Sequence, residues 1–482
     1  MTLTRRHFCG LSCSVLAAGV AGCAVNPATG GRNLMLVSRS QEKEMGKDAY
    51  PKIIKEFGGV YNDPRVTGYV EYLGRTLAAV TETPGEQFTF TVLDNPIVNA
   101  FATPGGYIYI SRGLMALAGS ESELAGVMGH ELGHVVARHS SQRMSKATVA
   151  GLFSGLLGGG RVGQALGSLY LTSYSRDQEL EADRLGVRYI SRAGYDPDAM
   201  TSFLAKMGAN SRLQAQIAGR DPDEVDERDI MSTHPRTKER VQQAMQLAGA
   251  RAGQGRIERD GYLQRLDSMI YGDSPEQGYI RDRTFIHPGM RLSFRVPEGF
   301  LMHNSTDAVL ALSEKKKVII KFDDAEKPFE GEMTNYIADD WAKERDIQDL
   351  AATRLGALPA ATAKTYIDTR SERLLARIAA IRFSPDRIFR FMAIAPGEGV
   401  ANLPDAFQET ISSFRMLSQA EAAAVRPWRV RIGRVQAGDT AWSLGRRMPF
   451  TKLQTEYFRM LNGLDEDDPL VIGNKIKLVI EG

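Results

Sequence analysis

Apolar and polar positions recur in two different periods along the chain, and the change between them marks the predicted architecture. Helical spacing predicts a helix from about Asp63 to Ala79 and another after the capping-box pattern Ser120-x-x-Glu123. Two short runs, Phe88–Leu93 and Tyr107–Ser111, alternate in period two and predict strands. We therefore expect a mainly helical domain with a small sheet over residues 38–270.

Beyond residue 285 the pattern changes to short alternating runs that are typical of strands. We predict an α+β module over residues 286–417 and a small βααβ unit over residues 428–480, so the chain as a whole belongs to the α+β class. The runs that carry this prediction are Leu292–Val296, Val309–Leu312, Lys317–Lys321 and Ile388–Ala393, with helical stretches near 333–347 and 402–415.

Composition adds little to this picture except for two exclusions. The 482 residues carry a net charge of +2, which gives no electrostatic reason to expect a nucleic-acid partner. No run after the first 22 residues has 18 uninterrupted apolar positions, so we predict no membrane-spanning helix there.

The N-terminus has the features of an export signal. Arg5-Arg6 precedes a short apolar run, and Val20-Ala-Gly-Cys23 resembles a bacterial lipobox. We predict a signal peptide over residues 1–22, lipid on Cys23 and a tether over residues 23–37, which would anchor the chain to a membrane in the periplasm. An ordinary cleaved signal with an incidental Cys23 is the alternative. Ala24 is compatible with sorting to the outer membrane, by resemblance.

The chemistry of the chain centres on His130-Glu131-Leu-Gly-His134. Residues four apart lie on one face of a helix, about 6 Å apart along its axis, so both imidazoles can reach one metal ion. Zinc would supply an activated water, and Glu131 lies between the histidines, where it can take a proton from that water. A surface helix with two spare histidines is the alternative, but the apolar flanking residues argue for a buried helix.

A catalytic zinc needs a third protein ligand, and Glu179 is the best donor. Asp183 follows four residues later on the same helical face, where it can orient a ligating imidazole from behind. Glu181 points elsewhere and is expected to be solvated. The alternative is a charged helix start that only complements the helix dipole. We also expect His139, five residues after His134, to lie off the ligand face with a structural role or in solvent.

These motifs together resemble the gluzincin family of BepA, HtpX and the CAAX prenyl proteases over roughly residues 35–250. The resemblance includes the run Asn99–Leu114 before the histidines and Thr233-His234-Pro235 with Arg240 after them. The transmembrane helices of the HtpX and CAAX branches are not found, so the chain resembles the soluble periplasmic branch.

The resemblance implies a role for each matching residue. His130, His134 and Glu179 would bind one zinc per chain, Glu131 would be the general base, and Asp183 would support a ligand. His234 and Arg240 match a pair that faces the zinc; His234 would either hold the site latent or, with Arg240, stabilise the oxyanion. The strand formed by Tyr107, Ile108, Tyr109 and Ile110 resembles the edge strand on which such peptidases bind an extended substrate.

Two further resemblances concern the C-terminal half. Residues 428–480 resemble a LysM module, in Val435–Leu444, Leu461–Leu464 and Ile472–Leu478, which implies binding to peptidoglycan. The match departs near Met448–Thr451, so a scaffold that has lost its glycan ligand stays open. Residues 286–417 resemble α/β/α sandwich modules of the PsbP type, and no function is assigned to them.

The predicted function is a zinc-dependent endopeptidase of the bacterial cell envelope that cleaves misfolded or misassembled proteins. Its partners would be unfolded envelope proteins, peptidoglycan and the membrane. One alternative keeps the zinc but acts as a chaperone or assembly factor with little proteolysis. A second alternative is a peptidoglycan-active hydrolase.

Overall fold

The computed structural model describes most of the chain as two compact units. Three predicted features lie outside the described residues: the signal peptide over residues 1–22, the glycine-rich segment 148–168 and His234. For the glycine-rich segment we expect either a flap or a buried helical hairpin. The described residues are 23–146, 173–223, 238–325, 327–369 and 372–482. One unit contains the described residues up to Ile54, Gly59–Met269 and Arg429–Ile480, and the other contains Lys55–Gly58, Ile270–Trp428 and Glu481–Gly482.

The first unit begins with a hairpin and then becomes mainly helical. Its strands up to residue 269 are β1 (Cys23–Val25), β2 (Arg32–Leu34), β3 (Thr89–Leu93), β4 (Ala100–Thr103) and β5 (Tyr107–Ser111). Its helices are α1 (Arg39–Glu56), α2 (Pro64–Ala78), α3 (Arg112–Leu117), α4 (Glu121–Val136), α5 (Arg176–Arg192), α6 (Ala199–Ile217), α7 (Lys238–Ala248) and α8 (Arg259–Leu266). None of the described helices is long and apolar enough to cross a membrane.

The small sheet has the order β3-β5-β4, which corrects one expectation. Tyr107–Ser111 pairs in parallel with Thr89–Leu93 on one side and antiparallel with Ala100–Thr103 on the other. Tyr107, Ile108, Tyr109 and Ile110 therefore form a central strand, so the prediction of a substrate-binding edge strand there is wrong. The short apolar run Ala100–Thr103 satisfies the second side of β5 and becomes an edge itself.

The helix α4 carries the histidine motif through the core of the first unit. Ser120 caps its start, because the Ser120 side chain accepts a hydrogen bond from the Glu123 backbone N–H at 3.2 Å. The Glu123 carboxylate instead accepts from Gly119 N and from the ammonium of Lys206. Nearly every side chain of α4 is buried, as the apolar flanks of the motif predict.

Residues 429–480 belong to the same compact unit as the helical domain. They form β18 (Trp428–Arg434) and β19 (Lys475–Glu481), with two short helices between them (Ala441–Gly445 and Gln454–Asn462). The buried ammonium of Lys477 donates to the carbonyls of Ala116, Leu117 and Ala118 at 2.6, 3.0 and 2.8 Å. These carbonyls lie at the end of α3, immediately before α4, so the C-terminal residues support the loop that leads into the histidine helix.

The second unit is built on antiparallel sheet. Its strands are β6 (Ile270–Tyr271), β7 (Tyr279–Arg281), β8 (Thr284–His287), β9 (Leu292–Arg295), β10 (Leu301–Asn304), β11 (Ala308–Ser313), β12 (Val318–Asp324), β13 (Gln348–Leu355), β14 (Leu358–Asp368), β15 (Arg373–Ser384), β16 (Arg387–Ala395) and β17 (Arg415–Met416). Seven of them form a sheet in the order β10-β11-β12-β16-β15-β14-β13, and four form a second sheet, β17-β9-β8-β7.

Successive residues of β15 contribute to two separate apolar clusters. Ala379 and Ile381 pack with the helix Leu403–Ser412, whereas Ile378 and Ala380 pack with the helical segment Met333–Trp341. Because side chains alternate across a strand, the seven-stranded sheet has a helical cover on each face. The pattern predicted four strands of this unit, β9, β11, β12 and β16, and none of the other eight, among them the long strands β14 and β15.

Candidate metal centre

The site depends on a close crossing of α4 and α5, which glycines make possible. A Cβ on Gly186 would lie 3.0 Å from the backbone nitrogen of His130, and one on Gly133 would lie 3.1 Å from the carbonyl oxygen of Ala182. Both distances are shorter than most contacts of a real Cβ, so a side chain at either position would push the two backbones apart by a few tenths of an ångström. The crossing brings Glu179 of α5 within reach of both histidines of α4.

Three buried donor atoms converge at this crossing. His130 Nε2 and His134 Nε2 lie 3.0 Å apart, and each lies 3.5 Å from a carboxylate oxygen of Glu179. The three groups are at most 4% exposed, and their ligand atoms all lie within 4.8 Å of one another. Zinc bonds of about 2.0 to 2.1 Å in a tetrahedron place ligand atoms about 3.3 Å apart. The donor set and its spacing therefore fit a zinc ion.

Asp183 and Arg240 lie directly behind the donors. The Asp183 carboxylate lies 2.9 Å from His130 Nδ1. Two N–H groups of Arg240 donate to Asp183 at 2.7 Å each, and a third guanidinium nitrogen lies 2.9 Å from Glu179. Burial alone would raise the pKa of Asp183, but the guanidinium outweighs it and holds that pKa well below its usual range. This geometry makes Arg240 a neighbour of two carboxylates, and it favours a positioning role over the predicted contact with a reacting oxygen.

His134 has its own set of neighbours, which the sequence did not predict. Its Nδ1 lies 2.8 Å from Nδ1 of His139, a fully buried side chain. Its ring stacks on Tyr174 with centroids 3.8 Å apart. Glu181, expected in solvent, is half-buried with its carboxylate 3.6 Å from His139 Nε2. Burial lowers the pKa of His139 although Glu181 acts in the opposite direction.

The predicted general base, the cleft beside the donors and the predicted latency residue complete the description of the site. Glu131 is fully buried on α4, between the two histidines in sequence. A cleft extends from Thr103 and Pro104, at the end of β4, to His134 and Val135, and is also lined by charged residues of α1 and by Arg138. His234 lies outside the described residues, so its predicted place near the metal stays a prediction.

A buried pair of imidazoles with a carboxylate from a second helix, beside a glutamate within the histidine motif, can hold a metal ion, and it is the donor set that a zinc metallopeptidase needs. Comparison with known families also indicates a metallopeptidase. Residues 64–248 match the model of peptidase family M48, and residues 434–479 match the model of the LysM domain. The chain thus contains a peptidase M48 domain and a LysM domain, as the sequence motifs predict, and M48 metallopeptidases are zinc-dependent.

Two relatives each match less than half of this chain. The beta-barrel assembly-enhancing protease of Escherichia coli (strain K12) is 32% identical over 228 residues, which are 44% of this chain and 45% of that protein. The mitochondrial metalloendopeptidase OMA1 of Schizosaccharomyces pombe is 29% identical over 223 residues, 45% of this chain and 63% of that protein. The chain therefore spans less than two thirds of either relative.

Among solved structures, the cyanobacterial PsbP of Synechocystis sp. PCC 6803 matches 28% of this chain and 91% of its own, at 14% identity. Its TM-score of 0.20 is too low to establish a shared fold.

Proposed function

We propose that this protein is a zinc-dependent endopeptidase that acts on misfolded or misassembled proteins of the bacterial envelope. The observation that carries the proposal is the buried set of His130, His134 and Glu179 donor atoms, which lie within 4.8 Å of one another. The two histidines are on the helix that also holds Glu131. The similarity to a beta-barrel assembly-enhancing protease supports an envelope substrate.

The residues of the site divide the chemistry between them. Zinc bound there would lower the pKa of a water and polarise the scissile carbonyl. Glu131 takes a proton from the attacking water and returns it to the leaving amide nitrogen. Its complete burial in an apolar helix keeps competing solvent away from the carboxylate. Asp183 and Arg240 hold His130 and Glu179 in place.

The substrate would bind along β4 rather than β5. Strand β4 is an edge of the three-stranded sheet and packs against α4, the histidine helix. An edge strand can pair with an extended peptide through backbone hydrogen bonds without reading its sequence, which suits unfolded chains. The cleft from Thr103 to His134 leads from the end of this edge to the donors.

The envelope location rests on the two ends of the sequence. We propose export through residues 1–22, lipid on Cys23 and attachment to the outer membrane. The LysM domain would bind peptidoglycan: Trp442 is 61% exposed and Ile472 is 68% exposed, so apolar side chains are available to stack on sugar rings. Metabolic labelling with a radioactive fatty acid should mark the wild-type chain and leave Cys23→Ser unlabelled.

The deciding experiment compares Glu131→Gln with Glu44→Gln, an exposed glutamate on α1 that serves as the matched control. Both variants are assayed on unfolded casein, and both are tested for complementation of a strain that lacks the protein. Loss of casein cleavage and of complementation by Glu131→Gln alone supports the endopeptidase. Full complementation by the inactive Glu131→Gln variant would instead favour a zinc-holding chaperone.

The LysM domain favours one further candidate, a peptidoglycan hydrolase. Incubation with purified sacculi separates this candidate from the endopeptidase. Release of soluble muropeptides by the wild type, and not by Glu131→Gln, would favour the hydrolase; cleavage of casein with intact sacculi would favour the endopeptidase.

We also propose that His234 holds the site latent by occupying the open metal position at rest. His234→Ala should then cleave casein faster than the wild type. A slower variant would instead indicate that His234 stabilises the oxyanion, and unchanged activity would contradict both roles.

A further inference from the structure

The imidazole of His134 is held from behind by a chain of polar side chains that reaches the N-terminal hairpin. Its Nε2 faces His130 and Glu179, so that nitrogen is the one available to a metal. Its Nδ1 lies 2.8 Å from His139 Nδ1. A metal on Nε2 requires the proton of His134 on Nδ1, and this N–H then donates to His139.

That donation fixes the tautomer of His139 as well. A neutral His139 that accepts at Nδ1 carries its own proton on Nε2, and this nitrogen lies 3.6 Å from Glu181. The distance is longer than an ordinary hydrogen bond, but the carboxylate faces the N–H in a buried setting. The protonation state of each ring nitrogen is therefore defined. In His134, Nε2 is free for the metal and Nδ1 donates; in His139, Nδ1 accepts and Nε2 carries the proton that faces Glu181.

The backbone after α4 places His139 beneath the site. Arg138 has φ of +59°, in the left-handed region, and this conformation turns the chain at the end of the helix. Its guanidinium is held by the carboxylate of Glu42 at 2.8 Å and by the carbonyl of Val37 at 2.8 Å. Residues from the N-terminal segment therefore stabilise the turn that presents His139.

Asn26 connects Glu181 to the hairpin formed by β1 and β2. Its Nδ2 donates to Glu181 at 2.7 Å, and its Oδ1 accepts from Ala28 N at 2.9 Å, so both ends of the amide are assigned. Its backbone closes the hairpin, because Asn26 N donates to Gly31 O and Gly30 N donates to Asn26 O. Asn26 is only 1% exposed, although it lies three residues after Cys23.

We propose that His139, Glu181 and Asn26 are positioning residues that fix the Nδ1 proton and ring orientation of His134, and that they couple the seating of the N-terminal hairpin to metal affinity. The proposal rests on the proposed metal centre at His130, His134 and Glu179. It follows that displacement of the hairpin from Glu181 should weaken metal binding, although all three metal ligands stay unchanged.

The test measures zinc affinity of the purified full-length chain by competition with a chromophoric chelator, a readout that needs no substrate. Glu181→Gln should weaken zinc binding about tenfold, at the lower end of the 10- to 100-fold loss that is usual for a direct partner of a ligating histidine, because Glu181 acts through His139. Asp177→Asn, an exposed carboxylate on the same helix, is the matched control and should match the wild type.

The role of His139 is tested by a pair of variants. His139→Leu removes the acceptor, and its zinc affinity should fall to the same extent as that of Glu181→Gln. His139→Asn keeps an acceptor at the position of Nδ1 and should retain most of the zinc affinity of the wild type. The visible spectrum of the Co²⁺-loaded protein should shift in His139→Leu and stay near that of the wild type in His139→Asn. Equal affinity losses in the two variants would overturn the positioning role. If the leucine variant does not fold, the Glu181→Gln result decides.

The coupling to the hairpin is tested with Asn26→Ala against Asn33→Ala, an amide of β2 in the same hairpin. Asn26→Ala should weaken zinc binding about threefold to tenfold, and Asn33→Ala should not change it. Identical affinities of these two variants would overturn the coupling.

Zinc bound at one per chain by the wild type, with unchanged affinity in Glu181→Gln, would overturn this inference and leave the metal centre intact. A wild type that binds no zinc would overturn the metal centre, and the inference with it.

Discussion

Arg240 holds Asp183 through two parallel N–H donors at 2.7 Å each, and its third nitrogen lies 2.9 Å from Glu179. Arg240 is 4% exposed and Asp183 is fully buried. Removing a buried guanidinium that two carboxylates share costs more than breaking a surface pair, because it leaves buried charges without a partner. The contact also ties α7 to α5, the helix that carries the third predicted ligand.

We predict that Arg240→Ala destabilises the zinc-free protein by about 3 to 5 kcal/mol, because it leaves two buried carboxylates uncompensated. The free energy of unfolding of the zinc-loaded protein should fall by less, since the positive ion compensates the charge of Glu179 in place of the guanidinium. Urea unfolding with and without zinc measures both values. Arg176→Ala is the control: Arg176 pairs with Glu239 across the same two helices at the surface, where solvent screens the charges, and its loss should change the stability little. Equal losses with and without zinc would contradict the prediction.

The crossing of α4 and α5 gives a second prediction. A methyl group on Gly186 meets the backbone of His130 at 3.0 Å, so Gly186→Ala must separate the helices. We expect a loss of about 1 to 3 kcal/mol and weaker zinc binding, measured by urea unfolding and chelator competition. Gly68→Ala on α2 is the control, because its Cβ meets nothing within 4 Å. It should stabilise the protein by about 0.5 to 1 kcal/mol; a Gly186→Ala variant that is equally stabilised would show that the crossing is not tight.

The metal donors could be predicted from the sequence because helix periodicity fixes them. His130 and His134 share one face of α4, and Glu179 and Asp183 share one face of α5, whatever the tertiary structure. The LysM resemblance was likewise carried by local motifs, and the LysM family model matches residues 434–479.

The predictions that failed depended on long-range contacts. Whether Tyr107–Ser111 is central or an edge depends on which other strands pair with it, and alternation within the strand is the same in both cases. His139 is outside the donor set and buried, which agrees with the predicted structural role, but its contact with His134 depends on a left-handed turn at Arg138 that the sequence pattern does not show. The one hint in the sequence was a third histidine close to the motif in a chain that has seven.

Lys477 gives a prediction about the LysM domain. Its ammonium has three N–H donors, and three carbonyls at the end of α3 accept them. Lys477→Met leaves those carbonyls without this donor, and we expect a loss of about 3 kcal/mol or more in urea unfolding. Residues 429–480 should also become more sensitive to limited proteolysis.

Lys475→Met is the control for this prediction. Lys475 lies on the same strand and contacts Asp260 near the surface, so its replacement should cost less than about 1 kcal/mol. Equal sensitivity of both variants would contradict a supporting role for Lys477.

The last prediction concerns alkaline pH. Burial raises the pKa of Tyr457 to about 12, although a hydrogen bond with Gln214 of α6 acts in the opposite direction. Below pH 10 the phenol is neutral in the folded and in the unfolded protein, so its full contribution to the free energy of unfolding is present. Between about pH 10 and 12 the unfolded chain loses this proton first, so stability falls as pH rises, by about 2 to 3 kcal/mol from this group. Urea unfolding of Tyr457→Phe should lack that part of the fall, whereas Tyr72→Phe, at an exposed tyrosine, should follow the wild type. Parallel curves for wild type and Tyr457→Phe would show that the phenol ionises freely and that the LysM domain does not bury it against α6.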